Sequence, residues 1–465
     1  MSASFCRRWR GRLRRKGFIL MVGAMLTLLV GVPAAGLAID VGLMYLAQTR
    51  LQAAVDFACV AGARALSRGA DDEEQRATAQ NTADTYFNAN FRSGYLSTRN
   101  LQLASTAGID STYMRSVTTT ATVDLPFIFM RVFRMDHATL RATAKATRRD
   151  VNVMIVMDRS KSLADSGACT PLKNAAINFM EKFAEGRDNL GLITFATSSR
   201  VDYPMQNTFK SAVRTTLNNV VCAGGTSSAQ AVWQGYREIV ALQQTGALNV
   251  IVFFTDGRPT AVTETFPILS SSTCSSKTAK LGVLTVGFSN GVPQAAMGLY
   301  VQDAPPQPFT QDLTLITNRT NCRFASSASN VASDVSNAPT TDYWGNSLTA
   351  TGFKSVITSG TGLSITNAAN IQNFSINAAD HAALRVRRGD PDPSQSNKSV
   401  PGVTIYTIGL GDIDEVLLKR MANDPSLSPN PVAEGAPGRY IYAQNATELD
   451  LAFTRVASEL MRIAQ

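Results

Sequence analysis

Histidine is almost missing from this chain: His137 and His381 are the only two among 465 residues. Neither a histidine-rich zinc site nor a His-based catalytic triad is therefore well supplied. The six cysteines, at positions 6, 59, 169, 222, 274 and 322, form no C-x-x-C pair, which argues against a thiolate metal centre. A phosphate-binding loop ending in Lys-Ser/Thr is absent, so the common nucleotide chemistries lack their landmark. The expectation is a protein that is not an enzyme. Metal-assisted hydrolysis with Asp158 or Asp256 as base is the one catalytic reading left.

Net charge is also lacking over most of the chain. The formal charge of +9 suggests nucleic-acid binding until it is located. Arg7, Arg8, Arg10, Arg12, Arg14, Arg15 and Lys16 supply seven positive charges with no acid among them, leaving 37 basic against 35 acidic residues elsewhere. A body so close to neutral offers no extended basic face, and no nucleic-acid partner is expected.

What is present begins directly after that cluster. Gly17 to Ile39 is an uncharged run of 23 residues, enough for a helix to cross roughly 30 Å of hydrocarbon. The positive-inside rule then puts the basic tail, residues 1–16, in the cytoplasm and everything from Asp40 onward outside it, in the periplasm or at the cell surface. A cleaved secretory signal competes with this reading, because PAAGLA offers small residues to a peptidase. The apolar run nevertheless exceeds the usual ~7–15 residues of a signal core. The RRKGF junction also resembles a prepilin cleavage site between Gly17 and Phe18. That class carries Glu at the fifth mature position, where this chain has Val22.

With 45% hydrophobic residues over 465 positions, the chain should build two or three domains. Asp40 to Leu66 contains no proline and extends the helical pattern past the membrane. Ala54, Ala58, Ala61 and Ala65 fall on one face, suited either to a second membrane helix or to the chain's own outer domain. A polar break, SRGADDEEQ, leads to a helical segment near Gln75–Asn90. SVTTTATVDLPFIFM and ATLRATAKATRRD then show the Thr/Val-rich, period-two character of strands. Residues 40–150 thus read as a long helix with a small sheet, a pilin-like plan.

This N-terminal stretch resembles the TadE/TadG-like proteins of the Flp (Tad, tight-adherence) pilus-assembly machinery. The resemblance is carried by the basic cluster, the span, and LAIDVGLMYLAQTRLQAAVDFACVAGARAL. Asp40, Gln52, Ala53, Ala54, Asp56 and Ala61 sit where that family shows its ID-G-x-Y…LQ-A-AD-A-x-x-AGA pattern, while Val55 and Phe57 are larger than usual there. It covers the first 65 residues strongly and the next 85 weakly. It implies pilus-assembly or envelope proteins as partners.

From Val151 to the C-terminus the text turns α/β. VNVMIVM, NLGLITFA, LNVIVFF and GVTIYTIGLG are apolar runs of the kind found in strands buried on both faces. Between them lie helical stretches, the first opened by Thr170 as N-cap with Pro171 in its first turn. Strand–helix alternation argues a doubly wound, mostly parallel sheet. The alternation stops at Gly257 and resumes near Asn377. Residues of about 261–375 are therefore an insertion, expected to hold small β-structure of its own.

Three stretches converge at the carboxyl ends of the sheet strands, where such folds bind ligands. MIVMDRSKS supplies Asp158, Ser160 and Ser162, CAGGTSS supplies Thr226, and FFTDG supplies Asp256. D-x-S-x-S alone is common, and TDG alone is only a turn. Together and in order they match the metal-ion-dependent adhesion site of von Willebrand factor A (vWA) domains. All five positions are filled. The oxygen set suits a hard cation, Mg²⁺ or alternatively Mn²⁺ or Ca²⁺. The resemblance implies that the missing ligand is an acidic side chain of a partner protein, either an envelope component or, as a surface adhesin, a host or matrix ligand. The competing view is that these oxygens only cap helices and bond one another.

Arg159 and Lys161 alternate with the hydroxyl residues and read as solvated loop charges. In an oxidising compartment Cys169–Cys222 and Cys274–Cys322 are the expected disulfides, with separate buried thiols as the alternative.

Overall fold

The computed structural model describes residues 9–66, 68–69, 72–266, 280–289, 292–300 and 337–464. The chain divides into two compact units, one formed by Met1–Asp110 with Arg115–Arg148, the other by Ser111–Met114 with Arg149–Gln465.

The first unit is organised by one nearly unbroken helix. It runs through α1 (Trp9–Leu26), a π-helical turn at Thr27–Gly31, and α2 (Val32–Ala65). Pro33 has no amide for the carbonyl four residues back, and the π turn just before it takes up that mismatch. Residues 18–32 are exposed on every side, and the helix is long and apolar enough to cross a membrane.

Beyond the span, α2 becomes one-sided. Ala47, Leu51, Ala54, Val55 and Ala58 are buried, and the small-residue face packs on α3 (Asp72–Asn90), which buries Ala79, Ala83 and Phe87. The alanine stripe is thus absorbed within this unit. A three-stranded antiparallel sheet in the order β1 (Arg99–Ile109), β2 (Met114–Pro126), β3 (His137–Arg149) completes the core. Alternate residues of β2, including Val117, Ala121, Val123 and Leu125, point inward. The free edge of β3 is covered by α2: Gln48 donates to the Arg141 carbonyl (3.0 Å) and the Cys59 thiol to that of Ala144 (3.0 Å). An edge satisfied in this way cannot recruit another strand.

The sequence expectation differs here in two respects. FIFM does not continue the strand, because β2 ends at Pro126, and β1 is a strand that the sequence pattern does not announce. A short 3₁₀ turn, Met130–Phe133, follows β2 instead.

The second unit is a six-stranded sheet in the order β14-β13-β7-β4-β5-β6. Its strands are β4 (Val151–Asp158), β5 (Asn189–Phe195), β6 (Ser199–Gln206), β7 (Leu248–Thr255), β13 (Thr404–Leu410) and β14 (Tyr440–Ala443). All neighbours are parallel except β5 and β6. The central strands are buried from end to end, which is why their sequences are uninterrupted apolar runs.

Helices cover both faces. On one side lie α5 (Cys169–Met180), α6 (Lys210–Asn219) and the closing helix Leu449–Ala464, following the short α4 (Lys161–Asp165). On the other lie α7 (Ser228–Leu242) and the helices Ala368–Arg388 and Glu415–Ala422. This is the doubly wound α/β plan that the alternation predicts.

Two boundaries move. Helix α5 starts at Cys169 after Ala168, so Thr170 lies inside its first turn and is not the cap. The helix expected near Asn377 begins at Ala368, capped by Asn367, whose side chain accepts from the amides of Ala369 and Asn370. The insertion carries β-structure as expected: β8 (Ala261–Phe266), β9 (Lys280–Ser289) and β10 (Val292–Tyr300) form a sheet, and β11 (Thr358–Ser359) and β12 (Gly362–Leu363) a small hairpin.

The α2–α3 contact gives a direct test. A Cβ on Gly62 would sit 3.0 Å from the Ala79 carbonyl oxygen. Gly62→Leu is expected to destabilise the first unit by about 1–3 kcal/mol. The unfolding midpoint in detergent measures this, and an unchanged midpoint would show that the helices can separate freely.

Candidate metal centre

Parallel pairing sets the site. Met157 of β4 lies opposite Phe254 of β7, so Asp158 and Asp256 emerge side by side at the carboxyl ends of two adjacent strands. The Asp158 carboxylate is fully buried and that of Asp256 nearly so. The Ser160 amide donates to Asp158 Oδ1 (2.7 Å) and the Thr255 hydroxyl to Asp158 Oδ2 (2.5 Å). The hydroxyls of Ser160 and Ser162 both donate to Asp256 Oδ1, at 3.1 and 2.7 Å, and lie 3.0 Å from each other.

Four of the five predicted residues are therefore joined by direct contacts. Thr226 reaches the same place through its loop. The Lys161 amide donates to the Gly224 carbonyl (3.1 Å), and the Ala223 amide to that of Arg159 (2.7 Å). The Thr226 amide donates to the Thr260 hydroxyl (2.8 Å), while the Thr260 amide donates back to the Thr226 carbonyl (2.8 Å). The Thr226 hydroxyl lies 3.9 Å from where a Cβ on Gly257 would stand, beside Asp256. Gly224 takes φ +93°, and a Cβ there would meet the Thr197 hydroxyl at 2.8 Å. The glycine is what lets this loop approach.

Burial, and then the neighbouring Asp256 charge, push the Asp158 carboxyl up to about 7. Asp256 is raised as well, chiefly by burial, against the hydrogen bonds from Ser162 and Ser160. Two buried carboxylates facing one another hold charge poorly without a cation. The donor set consists of two carboxylates and three hydroxyls, all hard oxygens, which fits Mg²⁺, Mn²⁺ or Ca²⁺ and not a soft metal. Among the described residues no cluster of three or more His, Cys, Asp or Glu competes as a metal site.

Sequence reasoning missed Thr255 and Thr260. Thr255 stands next to Asp256 in FFTDG and fixes Asp158, and Thr260 orients the Thr226 loop. Both are ordinary hydroxyl residues in a strand-end turn, and only the geometry separates them from neighbours such as Thr263.

The expectation for Arg159 is corrected. Lys161 is exposed and pairs with Asp165, but Arg159 is fully buried. It lies behind the site, where its charge, with Arg200 and a hydrogen bond from Thr194, partly offsets the burial that raises Asp202. Arg200 pairs with Asp202 at 2.6 Å.

The expected disulfide Cys169–Cys222 is present, with Cα atoms 6.2 Å apart. It ties the start of α5 to the stretch leading into the Thr226 loop. Cys59 is a buried free thiol, and the Cys274–Cys322 pairing lies outside the described residues.

With this geometry in place, the relatives can be set beside it. Residues 152–312 match the von Willebrand factor type A domain, and residues 17–65 match the TadE/G-like family of Flp pilus assembly. No curated protein matches the sequence. Among solved structures, a point mutant of the PilB minor pilin from Streptococcus sanguinis is 14% identical over 78% of this chain and 79% of that one, with a TM-score of 0.38. The vWF domain of the type V pili tip protein Mfa5 from Porphyromonas gingivalis is 15% identical, covering 69% of this chain and 98% of that one, with a TM-score of 0.37. A von Willebrand factor type A protein from Catenulispora acidiphila is 11% identical, covering 80% of this chain and 52% of that one, with a TM-score of 0.34.

The disulfide supplies a prediction. It closes a loop with a sequence separation of 53, and such a cross-link contributes about 2–4 kcal/mol through the unfolded chain. Cys222→Ser should lower the denaturant midpoint of the vWA unit accordingly. Reductant should lower the midpoint of the parent by more than it lowers that of the variant.

Proposed function

We propose that this chain, which joins a TadE/G-like membrane segment to a vWA domain, is an envelope protein that captures a partner through a divalent cation. Asp158, Ser160, Ser162, Thr226 and Asp256 would hold the ion, and the proposed role is binding, with no reaction assigned to the site. The observation that carries this reading is the pair of buried carboxylates, Asp158 and Asp256, with three hydroxyl residues gathered around them. Hydroxyl ligands donate little charge, so a bound cation stays electron-poor and attracts one more anionic oxygen. A Glu or Asp of a partner protein fits that requirement. The TadE/G-like segment and the N-terminal apolar helix support a partner in Flp/Tad pilus assembly or anchoring, with residues 1–16 cytoplasmic and the vWA domain on the outer side.

The test is capture of crosslinked partners by the membrane-embedded full chain, with and without chelator. Asp158→Ala and Asp256→Ala are expected to keep membrane insertion and circular dichroism while losing both Mg²⁺ binding and metal-dependent capture. Capture that survives both substitutions removes the reading. Metal-dependent adhesion of whole cells to immobilised matrix ligands, with no envelope partner recovered, would transfer the same site to a surface adhesin.

Proton linkage gives an independent check. A carboxyl raised in the folded state stabilises the metal-free domain only while protonated, so its contribution fades as pH climbs from the ordinary 3.8 through about 7. A cation removes that loss. The rise in melting temperature on adding Mg²⁺ should therefore be larger at about pH 8 than at about pH 6, and should vanish in Asp158→Ala.

A further inference from the structure

The segment between β2 and β3 carries an apolar surface with no use inside its own unit. Ile128, Val132 and Phe133 are 59%, 82% and 62% exposed, and Met135 is also bare. The segment lies against the membrane helix: Phe129, Met130, Val132 and Phe133 share one apolar recess with Val32, Pro33 and Leu37. Gly36 makes room for it, since a Cβ there would fall 2.6 Å from the Phe129 ring. Residues 32–37 form the last turns of the uncharged run Gly17–Ile39. At about 1.5 Å per residue, that places the segment level with the outer edge of the hydrocarbon.

Its backbone is prepared for such a place. The Asp40 carboxylate accepts from the amides of Ile128 (3.0 Å), Phe129 (2.9 Å) and Met130 (2.7 Å). The Phe127, Val132, Arg134 and Met135 amides donate to carbonyls within the same segment. A loop in contact with lipid must satisfy its amides internally, whereas a water-exposed loop has no such need. Arg131 and Arg134 are exposed among the apolar side chains, spaced to reach phosphate headgroups while the apolar residues stay in the acyl region.

We infer that residues 128–135 insert into the outer leaflet beside the helix, giving the protein a second membrane contact that fixes how its first folded unit rises from the bilayer. The occupant of this surface is lipid, because the surface continues that of the bare span. The inference rests on the membrane-anchor reading and needs no metal at the vWA site.

The test uses the full chain in vesicles of phosphatidylcholine and phosphatidylglycerol, with and without lipid brominated high in the acyl chain. Val132→Trp changes an exposed side chain and should fold as the parent does. Subtracting the parent's three tryptophans isolates the new one. Its emission is expected to be blue-shifted and to lose roughly half its intensity in brominated vesicles, as for an indole among acyl chains. Tyr86→Trp, exposed on α3, is the unquenched control. Flotation separates the two failures. Protein that does not float with vesicles loses the anchor and this inference together. Protein that floats while the introduced indole stays unquenched keeps the anchor and overturns the inference, whether the emission is red, meaning water, or blue, meaning cover by another protein.

Discussion

Two carboxylates are held at the ends of neighbouring parallel strands, and that constraint organises the second unit. The β4–β7 register leaves Asp158 and Asp256 no choice but to emerge together, in surroundings too poor in water to screen them. Their burial, and after it their mutual repulsion, is the unfavourable balance that a cation would reverse. The apolar faces on either side of the sheet supply the stability that tolerates it. The buried Arg159 partly offsets, after Thr194 and Arg200, the burial that raises Asp202.

Asp40 shows what a buried carboxylate looks like when the fold itself satisfies it. Three amides from one turn point at its two oxygens, and nothing further is required. Asp158 receives the Ser160 amide and the hydroxyls of Thr255 and Ser160, and it faces a second acid. Both residues are almost completely shielded from water, so burial alone does not mark a binding site. What separates the two is the neighbouring acid, Asp256, which only Asp158 faces among these contacts. Asp40 is a clamp between the long apolar helix and a turn, and Asp158 is a buried acid beside another acid.

The sheet is largely legible in the sequence because strands buried on both faces must be apolar throughout, and VNVMIVM and LNVIVFF leave little ambiguity. The five site residues are legible for a different reason: their types and their order at strand ends are restrictive. The start of the Ala368–Arg388 helix is not legible. Asn370, Gln372 and Asn377 are buried polar residues that look like loop text. Asn370 donates to the carbonyls of Ile357 and Ser364, and Asn377 to those of Leu348 and Lys354. The helix needs those amides because the insertion beside it contributes loops whose backbone must be satisfied. FIFM misleads in the same way, since its hydrophobicity serves an outward-facing surface and not a sheet.

The insertion is not independent of the site from which it departs. Thr260 is the last residue before β8, and its hydroxyl and amide hold the Thr226 amide and carbonyl. The Thr260 carbonyl in turn accepts from the Val286 amide (3.1 Å) and the Thr285 hydroxyl (3.2 Å) of β9. The Thr226 loop and the root of the inserted sheet therefore share one residue. The hydroxyl and the amide of Thr260 face Thr226 while its carbonyl faces β9, so the two elements meet at this one residue. The stretch Gly224–Gly225 is pinned separately by the Thr197 hydroxyl, which accepts from the Gly225 amide (2.9 Å). Among the restraints on the Thr226 loop, that of Thr197 belongs to the end of the main sheet and that of Thr260 to the root of the inserted strands. The insertion thus bears on the candidate site through backbone and hydroxyl contacts at its root, without contributing one of the five candidate residues.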